Sequence, residues 1–580
     1  MADTLHYTAE RNVQIVIALL KANSIRRVIA SPGTTNMTFV VSVENDPWFQ
    51  VWSSVDERSA AYMACGMAAE TGEPVVISCT GATASRNYMP GMTEAYYRKL
   101  PVLALTSTRG NHRLGHLIDQ QVDRRRIPND VATLSVTLPT VKDADDELFC
   151  QIEANRAMLA LSSGPVHVNL YTTYSQDFGV RQIPPVRSIC RHTVADGNLP
   201  PLPPGRIGIF VGSHANFSER LTAAVDRFCA TRDAVVFCGH TSGYRGDYEV
   251  HSQLLASQEM WRSELCAVDL CVHIGEVSGD TPRMRSAHTW RVSPDGEVRD
   301  TFGNLRRVFM MPEERFFEFY AGEGEARTAY RDAIRAQVAQ VEARIPELPF
   351  SNLWIARRVH GRLPQGSELH LGINHSLRSW DYFTLPAGVL GKCNVGGYGI
   401  DGGVSAMVGA SLAAPGKLFF GVFGDLAFFY DMNVVGNRHV GPNVRIMLVN
   451  NGRGTEFRNH RHPCSFLGDE ADRYVAAAGH FGDKSARLVR SYAESLGYEY
   501  MSAGGKEEFE AVAPRFLAGG QSERPMLLEV FTDSRDESEA LRLVRNAVCD
   551  PAALLKSRVK GLARGVLGDA GVSAAKRLLR

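Results

Sequence analysis

Asp425 and Asn451 lie 26 residues apart, and the pattern between them would set two hard oxygen donors side by side. Residues 417–423 read as a buried strand, and Gly424-Asp425 follow at once. Residues 428–439 have helical spacing, and residues 444–449 read as a second strand that ends at Asn450-Asn451. In a doubly wound sheet the carboxyl ends of neighbouring parallel strands open on one crevice. A carboxylate, an amide oxygen and a backbone carbonyl, here that of Arg453, suit Mg2+ bridging a diphosphate. Gly424 permits the tight turn, and the helix entered through Leu426 offers its first N–H groups to anionic oxygens. Turn residues at strand ends can produce the same string, so the rest of the chain must decide.

The elements that would carry these groups are those of an α/β protein. Short β-branched runs alternate with helical patterns along the 580 residues, which implies mostly parallel sheets wrapped by helices. Strands are expected at Arg27–Ala30, 75–79, 102–106 and 166–170, then at Ile207–Val211, 234–238, 270–274 and 307–310. A proline-rich stretch at 183–204 reads as a linker, and a charged helical stretch at 325–343 precedes a second boundary. The expected division is residues 1–183, 184–345 and 346–546 as three doubly wound domains, with a basic tail at 547–580. The first and third have similar size and strand alternation.

Composition narrows the class. Lys+Arg and Asp+Glu are equal at 63 each, so charge gives no reason to expect nucleic acid. No apolar run reaches the ~20 residues of a membrane span. The N-terminus carries Asp3, Glu10 and Arg11 and does not read as a signal peptide. Eleven cysteines without a CxxC pair imply reduced, mostly buried thiols and a cytoplasmic location.

A second set of residues sits on strand ends of the first third: Ser31-Pro32-Gly33, Asp56-Glu57-Arg58-Ser59-Ala60 and Cys79-Thr80-Gly81. Together with the Gly424-Asp425…Asn450-Asn451 string, they resemble the thiamine diphosphate-dependent enzymes. The likeness is strongest to the menaquinone-pathway 2-succinyl-5-enolpyruvyl-6-hydroxy-3-cyclohexene-1-carboxylate synthases. It covers most of the first and third units, through the segments 56–68 and 87–106, Gly399-Ile400-Asp401-Gly402, and Gly424-Asp425-Leu426 with Asp431 and Asn433.

The resemblance implies thiamine diphosphate and Mg2+ or another divalent cation as cofactors. Pro32, Gly33, Glu57, Gly399, Ile400, Gly424, Asp425, Leu426, Asn451 and Arg453 would bind the cofactor, with Asp425, Asn451 and Arg453 on the metal. Glu57 would hydrogen-bond the aminopyrimidine N1′ and favour the imino form that removes the thiazolium C2 proton. Burial in an apolar pocket would raise the carboxyl's proton affinity for that task. Ile400 would prop the cofactor in its bent shape, and Gln120 would stand near the reacting carbonyl. A homodimer or homotetramer is implied, since the family builds each site from two chains.

The substrate shell departs from the synthase pattern. Trp380 and Val395 stand where arginines should hold the distal carboxylate of 2-oxoglutarate, and Thr34-Thr35 replace a serine–arginine pair. Arg378 lies two residues from Trp380. Arg109, His112, Arg113 and His116, and Arg458, His460, Arg461 and His462, supply a polar and basic replacement; His112 and His116 would share a face on a helix. The expected activity is decarboxylation of a pyruvate-like 2-oxo acid and addition of the product carbanion equivalent to a carbonyl acceptor, the basic groups suiting an anionic one. A simple decarboxylase, a C–C bond hydrolase and an inactive cofactor-binding scaffold are the alternatives. The Gly212-Ser213-His214-Ala215 turn of the middle unit reads as structural. In the tail, an apolar stripe among basic residues fits a helix packed on a neighbouring subunit or lying on a membrane surface.

Overall fold

The computed structural model describes residues 5–124, 126–279 and 284–549; the expected tail helix lies outside them. The chain forms two compact units. The first runs to Gly197 and takes in Asp295–Met310, and the second holds Asn198–Pro294 and the chain from Met311 onward.

The first unit is organised on a parallel sheet of β1 (Arg27–Ala30), β2 (Gln50–Ser53), β3 (Val75–Thr80), β4 (Val102–Thr108), β5 (Leu134–Leu138) and β6 (Val166–Tyr171). Their order is β2-β1-β3-β4-β6-β5. β4 is buried along its whole length, as expected of a parallel strand covered by helices on both faces. The stretch assigned to a linker contains a strand, β7 (Cys190–Thr193). Ile189 beside it is buried, so this segment is part of the packed unit.

In the second unit β8 (Ile207–Val211), β9 (Val235–Phe237), β10 (Glu249–Val250), β11 (Ala267–Ile274) and β12 (Arg285–Ser293) pair in parallel in the order β10-β9-β8-β11-β12. β13 (Leu305–Met310) belongs to the first unit and pairs in parallel with β7. The second unit's other sheet comprises β14 (Glu368–Leu371), β15 (Leu390–Lys392), β16 (Phe419–Gly424), β17 (Val444–Asn450), β18 (Glu499–Ala503) and β19 (Met526–Phe531). It is again all parallel, ordered β15-β14-β16-β17-β19-β18. Renumbered from its own first strand, this order is that of β1 to β6. Two segments of one chain thus share a topology.

The helical spacing of residues 428–439 is only partly realised. A helix spans Asp425–Tyr430 and gives way to a 3-10 segment, Met432–Gly436. Asp431 explains the break, because its carboxylate is committed to the backbone N–H of Ser405 at 2.6 Å and to its hydroxyl at 2.5 Å. Those two bonds anchor the start of the helix Gly403–Ala413, which follows Ile400 directly. None of the cysteines forms a disulfide and seven of the eleven are buried, as their spacing implied. Among the described residues no helix is long and apolar enough to cross a membrane.

Candidate active site

β16 and β17 run side by side with Gly424 opposite Val449, so Asp425 and Asn451 leave the sheet at the same edge. Asp425 is buried, and its Oδ2 accepts from the N–H groups of Gly452 at 2.5 Å and Arg453 at 3.1 Å. Leu426 N–H donates to Oδ1 at 2.7 Å. Burial is the largest influence on this carboxyl and lifts its pKa to about 6, against the pull of those backbone donors.

The two asparagines divide their work. Asn450 donates to the fully buried Glu529 at 2.6 Å and ties β17 to β19. Asn451 Oδ1 is buried and has no hydrogen-bond partner among the described residues. A buried amide oxygen left unpaired costs ~1–3 kcal/mol, which a cation ligand would remove. Arg453 sends its guanidinium away to Asp472 at 2.5 Å. Its carbonyl accepts from Thr455 N–H at 2.9 Å, and a second lone pair remains. This oxygen set fits a hard divalent cation.

A cavity of about 510 Å3 opens at the carboxyl ends of β14, β16 and β17. Gly424, Asp425, Leu426, Asn451, Arg453 and Ile400 all line it, which joins six of the sequence-expected residues. Gly399 lies beside Ile400 but not on the wall, and a Cβ there would collide with the Asp401 carboxylate. The same cavity is lined by Asn374, His375, Arg378 and Glu456, of which the sequence singled out only Arg378, beside Trp380. Asn374 enters it with φ 68°, a strained value for a residue other than glycine. Arg378 donates to Glu456 Oε1 at 2.6 Å. His375 Nε2 pairs with Glu537 Oε2 at 3.0 Å. Burial opposes charge on that imidazole, but Glu537 and Glu456 outweigh it and raise its pKa above the ordinary value. The proximity of Glu456 to Asn451 in sequence was the available signal.

Trp380 and Val395, expected to form the donor wall, do not line the cavity. Trp380 is 1% exposed, and its indole N–H donates to Asn352 Oδ1 at 3.1 Å inside the core. Val395 is likewise buried.

In the first unit Pro32 and Gly33 follow β1. A Cβ on Gly33 would lie 2.7 Å from Asn36 Oδ1 and 3.0 Å from Thr80, so the close approach of these turns requires glycine. Glu57 opens the helix Glu57–Thr71, whose N-cap Asp56 accepts from Arg58 N–H and the Ser59 hydroxyl. The Glu57 carboxylate accepts from Asn87 Nδ2 at 3.1 Å. Glu57 is half-buried, however, and not enclosed in an apolar pocket as the sequence reading expected. Thr35 is buried and knits strand ends together through Thr80 and the Ser107 carbonyl.

Gln120 is exposed with φ 57°, in a loop that also exposes His112, Arg113 and His116. Only a 3-10 turn, Asn111–Arg113, forms there, so the two histidines share no helical face. Arg109 donates to the Tyr174 hydroxyl at 2.6 Å. The sequence reading missed Arg124. It is buried and donates to Thr106 Oγ1 at 2.7 Å and to Asn169. Among the described residues no carboxylate pairs with it, and burial lowers its pKa to about 10. A Cβ on Gly81 would strike its guanidinium. In the middle sheet, Gly212 packs against the Glu276 backbone too closely for any side chain, and His214 pairs with Glu313 at 3.0 Å.

Residues 11–127 match the family model of the thiamine pyrophosphate enzyme N-terminal TPP binding domain. That match and the relatives below make the chain a thiamine diphosphate-dependent enzyme that forms or cleaves carbon–carbon bonds. Within that superfamily it is similar to 2-succinyl-5-enolpyruvyl-6-hydroxy-3-cyclohexene-1-carboxylate synthases. The protein of that name from Phocaeicola vulgatus is 28% identical over 92% of this chain and 98% of its own length. That of Bacteroides fragilis is 29% identical over the same shares. That of Desulfotalea psychrophila is 28% identical over 88% of this chain and 96% of its own.

Proposed function

We propose that this enzyme decarboxylates a small monocarboxylic 2-oxo acid and joins the product to a carbonyl acceptor. The observation that carries the proposal is the unpartnered Asn451 Oδ1 beside the enclosed Asp425 carboxylate, in a cavity also lined by Ile400. Asp425, Asn451 and the Arg453 carbonyl would hold Mg2+, and the metal would hold the cofactor's diphosphate. Thiamine diphosphate held there would supply a carbon nucleophile and an electron sink for decarboxylation. Ile400 would set the cofactor's shape. Glu57, oriented by Asn87, would hold the proton at the aminopyrimidine N1′.

The donor reading rests on Arg378 and Glu456. Among the described residues, the pairs Arg378–Glu456 at 2.6 Å and Arg453–Asp472 leave no unpaired guanidinium on the cavity lining, and Glu456 repels a second carboxylate. A buried carboxylate without a cationic partner costs several kcal/mol, so 2-oxoglutarate is disfavoured and pyruvate is the default. CO2 release from a panel of 2-oxo acids, with Mg2+, thiamine diphosphate and added aldehydes, tests this. Pyruvate should turn over faster than 2-oxoglutarate; the reverse order would mean that Arg378 leaves Glu456 for the substrate. The synthase activity named for the relatives is the second reading, favoured by the length of the match.

We also propose that the working form is at least a homodimer. Glu57 is half-buried in the single chain, and the helix it opens exposes Tyr62 at 47% and Met63 at 40%. Apolar surface beside a carboxylate that needs shielding calls for a covering partner. Light scattering should report a dimer or tetramer, and an active species with the mass of one chain would contradict it.

A further inference from the structure

The second unit has another cavity, of about 550 Å3, which shares no lining residue with the cofactor cavity. It opens near the amino ends of β11 and β12, where Cys266 precedes the first strand and Arg285 begins the second. It is therefore not the carboxyl-end crevice in which doubly wound sheets usually take ligands. At that other end Gly212 is packed against the Glu276 backbone.

Its lining is strongly unbalanced in charge. Arg262, Arg285, Arg461 and Arg545 face it, against the single carboxylate of Glu259. Glu259 is already engaged by His460 at 2.9 Å, Asn546 at 3.2 Å and Arg461 at 3.3 Å. Arg285 meets Glu264 at 3.4 Å, with both side chains more than half exposed. Such a pair contributes little, about 0–1 kcal/mol. Arg545 gives its Nε to the Tyr382 hydroxyl at 3.0 Å. Among the described residues neither Arg545 nor Arg262 has a carboxylate at ion-pair distance. Four guanidinium groups around one cavity repel one another until an anion joins them, and their planar donor forks match phosphate oxygens. Trp261 adds a flat, half-buried aromatic wall to the same cavity.

We propose that this cavity binds a nucleoside polyphosphate, with its phosphates on Arg262, Arg285 and Arg545 and its base against Trp261. One segment separates this site from the cofactor cavity. Arg461 has φ 64° and faces the arginine cavity, while His462 and Pro463 line the other.

The test uses the holoenzyme saturated with thiamine diphosphate and Mg2+, so that its diphosphate cradle is filled. ADP, GDP and UDP are titrated by calorimetry at physiological salt, with inorganic pyrophosphate and adenosine alongside. At least one nucleotide should bind once per chain, about tenfold or more tighter than pyrophosphate or adenosine. Arg262→Glu, on an exposed side chain, and Trp261→Ala should each weaken it by about tenfold or more, while the C2 proton exchange of the holoenzyme stays unchanged. Absence of binding below about 1 mM for all three nucleotides would overturn the proposal. So would variants that bind as the wild type does, or pyrophosphate that binds as tightly as the best nucleotide.

Discussion

The two six-stranded sheets have one strand order and opposite chemistry at equivalent edges. After its third strand, β16, the second unit's sheet places a buried carboxylate, Asp425, held by backbone N–H groups. After the corresponding strand, β3, the first unit's sheet places Gly81, over a buried guanidinium, Arg124. In the proposed function the first edge would take a cation and, through it, an anion. The second supplies a fixed cation, and its acid, Glu57, comes from the helix after β2. Topology alone therefore says nothing about which group binds where.

The largest expected effect lies on the carboxylate edge. Asp425→Ala removes the only anionic ligand of the proposed metal site, whereas loss of outer-shell partners alone typically costs 10–100-fold in metal affinity. Mg2+-dependent cofactor binding by calorimetry should weaken by more than about 100-fold. Unchanged affinity would move the metal elsewhere and break the contrast between the edges.

An intermediate effect is expected on the cavity wall. Glu456→Gln frees Arg378 of its charge partner, so the ratio of 2-oxoglutarate to pyruvate turnover should rise by about tenfold. A ratio that stays put would show that Arg378 does not reach the donor.

The smallest effect should come from Asn87→Ala. One hydrogen bond to a carboxylate is worth about 1.5–3 kcal/mol, and partial exposure of Glu57 reduces that. Cofactor C2 proton exchange should slow by about 3–10-fold, with cofactor affinity nearly unchanged. No change would mean that Glu57 is oriented by something other than Asn87.

The meeting of Asp425 and Asn451 was legible because strand alternation fixes where each strand ends, and Gly424-Asp425 and Asn450-Asn451 fall on those ends. Parallel pairing then determines the rest, so the 26-residue gap closes without further information. The wall opposite was not legible. Arg378 and Glu456 are 78 positions apart, and nothing in either neighbourhood announces the pairing. Trp380 was misread because an indole can serve a pocket or a core equally well, and its bond to Asn352 exists only in the folded chain. Glu57 was expected to be buried because its chemistry asks for shelter. One chain leaves it half open, and sequence pattern reports helix position, not what covers the helix. Arg124 stands in a run of charges that normally marks a solvated loop, and only the space left by Gly81 reveals that it turns inward.

In the proposed function Glu57 would activate thiamine diphosphate held at the Asp425–Asn451 edge. Proton–deuterium exchange at the cofactor C2, measured by rapid quench on wild type and Glu57→Gln at saturating Mg2+ and cofactor, tests it most directly. General acid–base assistance is typically worth about 10²–10⁴-fold, so exchange should slow by that factor while the cofactor stays bound. Exchange at the wild-type rate in the variant, with cofactor bound, would contradict the assignment.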